Sequence, residues 1–479
     1  MNIIKRPTLT LLTLLCIGYL FPLDNAFGQN TTEFTTAPST QSGVSLYTVD
    51  TFSAAATHLL LWVALILLIV GIIFISGVTK AHHGRTIGIA AVIVAAGIFI
   101  TVMYKNSPDR HTPIIFSPKS VMEATWLSYT TEYLEPVTLR TLDKQQDNIT
   151  TSEGQSYTML RSVQLDDKET FDTSWQWTKD NLMREDSNLI SWLFGERPDG
   201  SYGILTDRGG HNAASDADTD IALALIFAYS RWKDITYLGD AHEIIDDIWE
   251  EEVVIINEKP YLAANNLEKA LSEKIILNPS YLAPYAYKIF AEIDVEHDWI
   301  GLADTSYEVL DRSVTLPLDK EMSVGLPPDW VAIDRTTGEL SRVQSEHLTT
   351  NFGYDAMRTP WRLAVDWEWN KDERALNILK KMSFLEEEWK RNNGVIYATY
   401  THDGEVVNKY EAPAMYGGTI GYFMAVNPSL AKEVYGRKLA ALYDPDRQTW
   451  KQVLSYYDDN WVWFGIALYN GLFPNLYKQ

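Results

Sequence analysis

Two apolar stretches limit what this chain can become more than any other feature. Leu59 to Val78 and Ile87 to Tyr104 contain no charged side chain, and the first has the roughly 20-residue length of a helix that spans a bilayer. Between them lies a short basic loop, Lys80-Ala81-His82-His83-Gly84-Arg85. Lysine and arginine in short loops favour the cytoplasmic side. Residues 59–104 therefore read as a transmembrane helical hairpin that enters from outside and returns there, with a buried soluble hairpin as the alternative. The two adjacent histidines read as solvated loop residues rather than as a metal site.

The N-terminus points to the same topology. Lys5 and Arg6 precede a short apolar run, Leu11 to Leu23, broken by Pro22, and Ala26-Phe27-Gly28 offers small residues at signal-peptidase spacing. Residues 1–28 are expected to be a cleaved signal peptide, or failing that an uncleaved anchor. Residues 29–58 are a polar, Ser/Thr-rich segment. The expected protein is multi-pass in the cell membrane, with its large C-terminal region extracytoplasmic. Cys16, the only cysteine, follows Thr13-Leu14-Leu15, which lacks the small residue expected before a lipidated cysteine. The rest of the chain has no disulfide and no thiolate metal site. A net charge of -23 argues against a nucleic-acid partner, whose phosphates would be repelled.

Residues 112–479 are mostly helical in pattern. Apolar residues recur at three- and four-residue spacing in 221–227, 241–249, 285–293, 375–389 and 461–468. Turn signals such as Pro198-Asp199-Gly200 and Asp403-Gly404 separate many of these segments. No Pro- or Gly-rich linker divides the region, so the expectation is one large all-α domain, of stacked helical hairpins or an irregular bundle. Tryptophans are usually core residues, yet in an acidic chain they also suit a sugar cleft, since pyranose faces stack on rings.

Three places offer chemistry. Asp216-x-Asp218-x-Asp220 opens an apolar helical run and either binds a cation, faces a hydroxyl-rich ligand or is an overcharged turn. A calcium loop needs Gly at its sixth position and Glu at its twelfth; Ile221 and Phe227 stand there, so calcium is set aside. Helix capping explains one or two of the three acids, because a carboxylate at a helix N-terminus is favourable. Glu153 lies in Thr151-Ser152-Glu153-Gly154-Gln155 and serves equally as a first-turn acid. Asp355 lies in Tyr354-Asp355-Ala356-Met357-Arg358, followed by Pro360-Trp361-Arg362, where an Asp–Arg ion pair is the ordinary reading.

Taken jointly, these segments resemble glycoside hydrolase family 8. Ala214-Ser215-Asp216-Ala217-Asp218, with Ile221-Ala222, Ala224-Leu225-Ile226, Ala228 and Trp232, is similar to that family's signature. Ser152-Glu153-Gly154-Gln155 with Tyr157, Met159 and Arg161 resembles the segment of its general acid, and Tyr354-Asp355-Ala356-x-Arg358 that of its general base. Asn278-Pro279-Ser280-Tyr281, Leu326-Pro327-Pro328-Asp329-Trp330, Glu411 to Gly417 and Trp463-Phe464-Gly465 follow in the family's order.

The resemblance, over roughly residues 115–475, implies an (α/α)6 barrel of six inner and six outer helices. It also implies inverting, endo-acting hydrolysis of a β-1,4-linked, cellulose-like glucan. By that likeness Glu153 is the acid and Asp355 the base. Asp216, Tyr281, Arg358 and Trp361 bind substrate; Arg358 also helps keep Asp355 charged, and Tyr281 helps place the water. Asp218 and Asp220 keep the capping and packing role. No cofactor and no metal are implied, and the partner is a polysaccharide. A xylanase or xylo-oligosaccharide hydrolase is the alternative on the same fold, and a non-catalytic glycan-binding subunit of an export complex the alternative of another class. The membrane hairpin departs from the family, which does not generally carry one, and suggests work beside polysaccharide synthesis or export.

Overall fold

A computed structural model describes residues 44–46, 54–76, 84–105, 114–345 and 347–478. The expected signal peptide, most of the polar segment and Lys80 to His83 lie outside the described residues.

The two apolar stretches form helices α1 (Ala54–Ile75) and α2 (Gly84–Lys105), which pack on each other. Their contact is made by small residues. A Cβ on Gly71 would meet Val92 at 2.7 Å and the Gly88 carbonyl at 2.8 Å. Ala64 and Ala95 are likewise buried, whereas Leu59, Trp62, Ile66, Ile87, Ile93 and Ile100 are each more than half exposed. The pair thus turns small residues inward and large apolar ones outward. Among the described residues, no helix is long and apolar enough to cross a membrane.

From Pro118 onward the chain builds two concentric layers of helices. After α3 (Pro118–Tyr133) come the pairs α4 (Ser152–Leu165) and α5 (Lys168–Asn181), α6 (Ser215–Trp232) and α7 (Ile235–Glu251), and α8 (Pro284–Ile293) and α9 (Trp299–Thr315). Then follow α10 (Arg358–Asn370) with α11 (Glu373–Leu379) and α12 (Phe384–Arg391), α13 (Pro413–Val426) with α14 (Pro428–Val434), and α15 (Tyr456–Tyr469). Helices α4, α6, α8, α10, α13 and α15 lie side by side as an inner ring, with α5, α7, α9, α11, α14 and α3 outside them.

Sequence decides which layer each helix joins. Helix α6 is buried on every side from Ser215 to Ala228, and its stretch Ile221 to Ala228 is apolar all round, as a helix enclosed by others must be. Its partner α7 buries only Tyr237, Ala241, Ile244, Ile245 and Ile248, one stripe at helical spacing. The ring closes between its first and last members. Arg161 of α4, wholly buried, pairs with Asp459 of α15 at 2.9 Å, and Tyr157 meets Phe464 edge-on at 5.4 Å. With the short α12 set aside, six inner and six outer helices among the described residues agree with the expected (α/α)6 arrangement.

Short antiparallel strand pairs sit in the connections. Thr150–Thr151 pairs with Leu193–Phe194 just before α4, and Lys274–Leu277 with Val331–Asp334 before and after α9. They anchor loops that lead into the N-terminal ends of the inner helices.

Helices α13 and α15 touch backbone to backbone through glycine. A Cβ on Gly417 would stand 2.0 Å from the Trp461 carbonyl oxygen, and one on Gly465 2.7 Å from the Gly417 Cα. Main chain cannot swing aside as a long side chain does. Gly417→Ala is therefore expected to cost at least about 1–3 kcal/mol, seen as a fall in Tm of about 2–4 °C per kcal/mol for a domain of this size. Gly239→Ala, on α7 with open space around it, is expected to raise Tm slightly through better helix propensity.

Candidate active site

Four of the six residues expected at the site meet around Arg358. It is the first residue of α10 and its side chain is completely buried. Its Nη1 donates to Glu153 Oε2 at 2.6 Å and to Asp216 Oδ2 at 2.9 Å; its Nη2 donates to Asp355 Oδ1 at 2.6 Å. The Nε donates to Ser280 Oγ at 3.1 Å, and the Tyr281 ring lies under the guanidinium with 5.1 Å from Cζ to its centroid. Three carboxylates thus share one cation.

Each acid arrives by a different local device. Thr151 caps α4, its Oγ1 accepting the Gly154 N–H at 3.0 Å, while the Ser152 N–H bonds the Trp192 carbonyl. Glu153 is thereby fixed in the first turn, where the helix dipole favours an acid. Asp216 occupies the first turn of α6. Asp355 lies in the turn ahead of α10, three residues before its own ion-pair partner.

The acidic triplet divides among three tasks, none of them capping. Helix α6 begins after Ala214 with no side-chain cap, which corrects the capping role expected for Asp218 and Asp220. Asp216 and Asp220 are four residues apart and share a helix face, as Arg358 and Arg362 do on α10. The result is two stacked ion pairs, Asp216–Arg358 at 2.9 Å and Asp220–Arg362 at 2.8 Å. Asp218 points elsewhere and accepts the Ile190 N–H at 2.9 Å. Packing against specific partners, the other half of the expectation, describes both residues.

Trp361 is a second correction. It is 3% exposed, packs against Trp461, Phe464 and Phe473, and donates its indole N–H to the Phe464 carbonyl. A ring so enclosed offers no face to a ligand.

Exposure separates the roles of the three acids. The side chains of Glu153 and Asp355 are 23% and 33% exposed, Asp216 only 4%. Burial, opposed by Arg358 and reinforced by Asp216 and Asp355, pushes Glu153 up to about 7. Asp216 is also raised, chiefly by burial against the pull of Arg358. Tyr456 donates to Glu153 Oε1 at 3.2 Å. Burial holds the hydroxyls of Tyr157, Tyr281, Tyr456 and Tyr457 well above the ordinary tyrosine value, so all four remain neutral and able to donate. Two carboxylate oxygens bound to the two arms of one rigid guanidinium stand no more than about 7.5 Å apart. The site therefore holds one carboxyl raised to about 7 and a second, ion-paired carboxyl on the same guanidinium.

Sequence reasoning gave no role to Asp329, Tyr456 or Tyr457. Asp329 Oδ1 accepts the N–H groups of Gly353 and Ala356, which flank Asp355. Tyr457 donates to the Tyr354 carbonyl at 2.6 Å. The one signal for the tyrosines is their position as an adjacent pair at the start of the last inner helix. Among the described residues no group of three or more His, Cys, Asp or Glu could hold a metal ion.

Comparison with known proteins places this geometry in context. The family model described as "Glycosyl hydrolases family 8" matches residues 112–456. The protein called Endoglucanase C of Ruminiclostridium cellulolyticum is 28% identical over 335 residues, covering 68% of this chain and 65% of that protein. The chain thus spans a little under two thirds of that relative's length. A crystal structure of an endo-1,4-D-glucanase from Vibrio fischeri ES114 superposes with a TM-score of 0.61 at 24% identity, covering 72% of this chain and 94% of that one. A β-1,3-1,4-glucanase from Paenibacillus sp. X4 gives 0.62 at 22% identity, covering 73% and 91%. At these identities the superpositions establish the (α/α)6 fold.

The raised value of Glu153 has a consequence for stability. A group that holds its proton more tightly when folded contributes stability that is full below its ordinary value of 4.5 and is lost as pH rises through about 7. Glu153→Gln is expected to melt with the wild type at about pH 4.5 and above it at about pH 8, as followed by thermal unfolding across pH.

Proposed function

Because the chain belongs to glycosyl hydrolase family 8, we propose that its barrel domain hydrolyses a β-1,4-linked glucan with inversion, cutting within the polymer. The observation that carries this reading is the pair of solvent-reaching carboxyls on opposite arms of Arg358, one of them raised to about 7. An inverting glycosidase needs a protonated carboxyl on the leaving-group side and a charged one on the other. The two stand about 6.5–9.5 Å apart so that water fits between base and anomeric carbon, and the limit set by the guanidinium admits the lower part of that span.

In the proposed reaction Glu153 gives its proton to the glycosidic oxygen, steadied by the Tyr456 hydroxyl. Asp355 takes a proton from the water that attacks the opposite face of the sugar. Asp216 has one oxygen committed to Arg358, and its other is assigned to a hydroxyl of the sugar beside the bond being cut. Tyr281 lies close enough to Asp216 and Asp355 for both to act on its hydroxyl, which suits it to orient the water. Arg358 keeps the three acids in register rather than meeting substrate.

The membrane hairpin belongs to the same proposal. Helices α1 and α2 face each other through glycine and alanine and leave their large apolar side chains outward, an arrangement that lipid favours and water does not. The enzyme is proposed to be anchored at the cell surface with its barrel outside, beside a polysaccharide being made or exported.

Reducing-sugar release from carboxymethyl-cellulose, mixed-linkage glucan, xylan and chitosan tests the activity. The glucans are expected to be cleaved, with Glu153→Gln lowering kcat by about 10²–10⁴-fold, the worth of a general acid. Undiminished activity in that variant removes Glu153 from the role. Preference for xylan turns the reading to a xylanase, and activity on none of the panel to glycan binding. NMR of the first-formed anomer is expected to show the α product. Protease added to intact cells is expected to release the barrel domain; its protection there defeats the surface location.

A further inference from the structure

Asp355 is borne by a turn, while Glu153 and Asp216 are borne by helices. A side chain on a loop is placed less accurately than one on a helix unless something holds the loop. Here Tyr457 and Arg358 hold carbonyls of the turn Gly353-Tyr354-Asp355-Ala356, and one carboxyl holds its N–H groups on both sides of Asp355. Asp329 Oδ1 accepts the Gly353 N–H at 3.1 Å and the Ala356 N–H at 2.8 Å, one on each side of Asp355. Asp329 is itself fixed, since its own N–H bonds the Asn351 carbonyl at 2.7 Å and the Trp330 N–H bonds the Thr349 carbonyl at 3.0 Å.

Gly353 carries a second, independent sign of the same arrangement. Its φ is not in the positive range that favours glycine, unlike Gly325 or Gly404, so torsion does not demand glycine there. Space does: a Cβ would stand 2.7 Å from Asp329 Oδ2. The glycine lets the Asp329 carboxyl lie flat against the turn. Burial and the nearness of Asp355 push Asp329 up to about 8, so at neutral pH the clasp adds no second full negative charge beside Asp355. Because the accepting atom is one oxygen, an amide in place of the acid retains it.

We propose that Asp329 is a positioning residue for the catalytic base, clasping the two backbone N–H groups that flank Asp355 and so fixing the reach of Asp355 toward the attacking water. The proposal rests on the reading of Asp355 as the base. Loss of the clasp acts on the chemical step, through misplacement of one reacting group, and leaves substrate binding to Asp216 and the rest of the cleft.

Three full-length variants test it on the glucan that the wild type hydrolyses best. Asp329→Asn is expected to keep kcat within about threefold. Asp329→Ala is expected to lower kcat by about 10–100-fold, the scale of a small misplacement of a reacting group, with KM changed less than threefold. Gly353→Ala, which pushes on the same carboxyl from the other side, is expected to repeat that split and stands in should Asp329→Ala fail to fold. A kcat for Asp329→Ala at the wild-type level overturns the proposal. So does an Asp329→Asn protein as impaired as the alanine variant while both melt like the wild type, or a loss confined to KM. Amide hydrogen exchange separates this outcome from failure of the base assignment. Faster exchange at Gly353 and Ala356 in Asp329→Ala but not Asp329→Asn upholds the clasp. Full activity in Asp355→Asn removes the base it was to serve and with it the proposal.

Discussion

The whole site turns on one buried cation that is outnumbered. Arg358 has no exposed surface, and Glu153, Asp216 and Asp355 all bond to it. Taking charges out of water costs several kcal/mol per ion unless attraction and hydrogen bonds repay it. One guanidinium cannot offset three carboxylates, and both Glu153 and Asp216 are raised by burial against its pull. The cation that gathers the acids pulls Glu153 down, but burial and the two neighbouring carboxylates outweigh it and push Glu153 up to about 7.

The fold supplies that cation by geometry rather than by local sequence. Inner helices of the barrel start at one end, so Glu153, Asp216 and Arg358, all in first turns, converge although far apart in the chain. Helices α6 and α10 are held in register by the second ion pair one turn deeper, Asp220–Arg362. Beside it the core turns aromatic, with Trp361 in edge contacts to Trp461, Phe464 and Phe473. A shift of α10 by one turn would leave one acid and one arginine of the two pairs without a partner, which ties the accuracy of the site to the packing of the barrel.

Much of this was legible in the sequence, for identifiable reasons. The helical spacing of apolar residues announced an all-α domain, and the segments around Glu153, Asp216 and Asp355 carried a family likeness strong enough to order them. What the alternate spacing of the triplet hid was its helical meaning. Read two by two the acids look like a loop or a cap; read on a helix, Asp216 and Asp220 share one face and Asp218 another. Trp361 misled because proximity in sequence to Asp355 and Arg358 says nothing of direction, and helix α10 turns that ring into the core. Asp329 lay in a segment of family likeness, but its role and that of the Tyr456–Tyr457 pair were hidden, since their partners are backbone groups or carboxyls that only the closed ring brings near.

The central claim is that three acids around one arginine leave a proton on Glu153. Carboxyl-¹³C glutamate labelling, with Glu153→Gln used to assign the resonance, reports that proton directly in an NMR titration. The account requires a midpoint for Glu153 near 7, well above the ordinary 4.5. A midpoint at or below 4.5 would mean that Arg358 holds Glu153 charged, and would contradict the account.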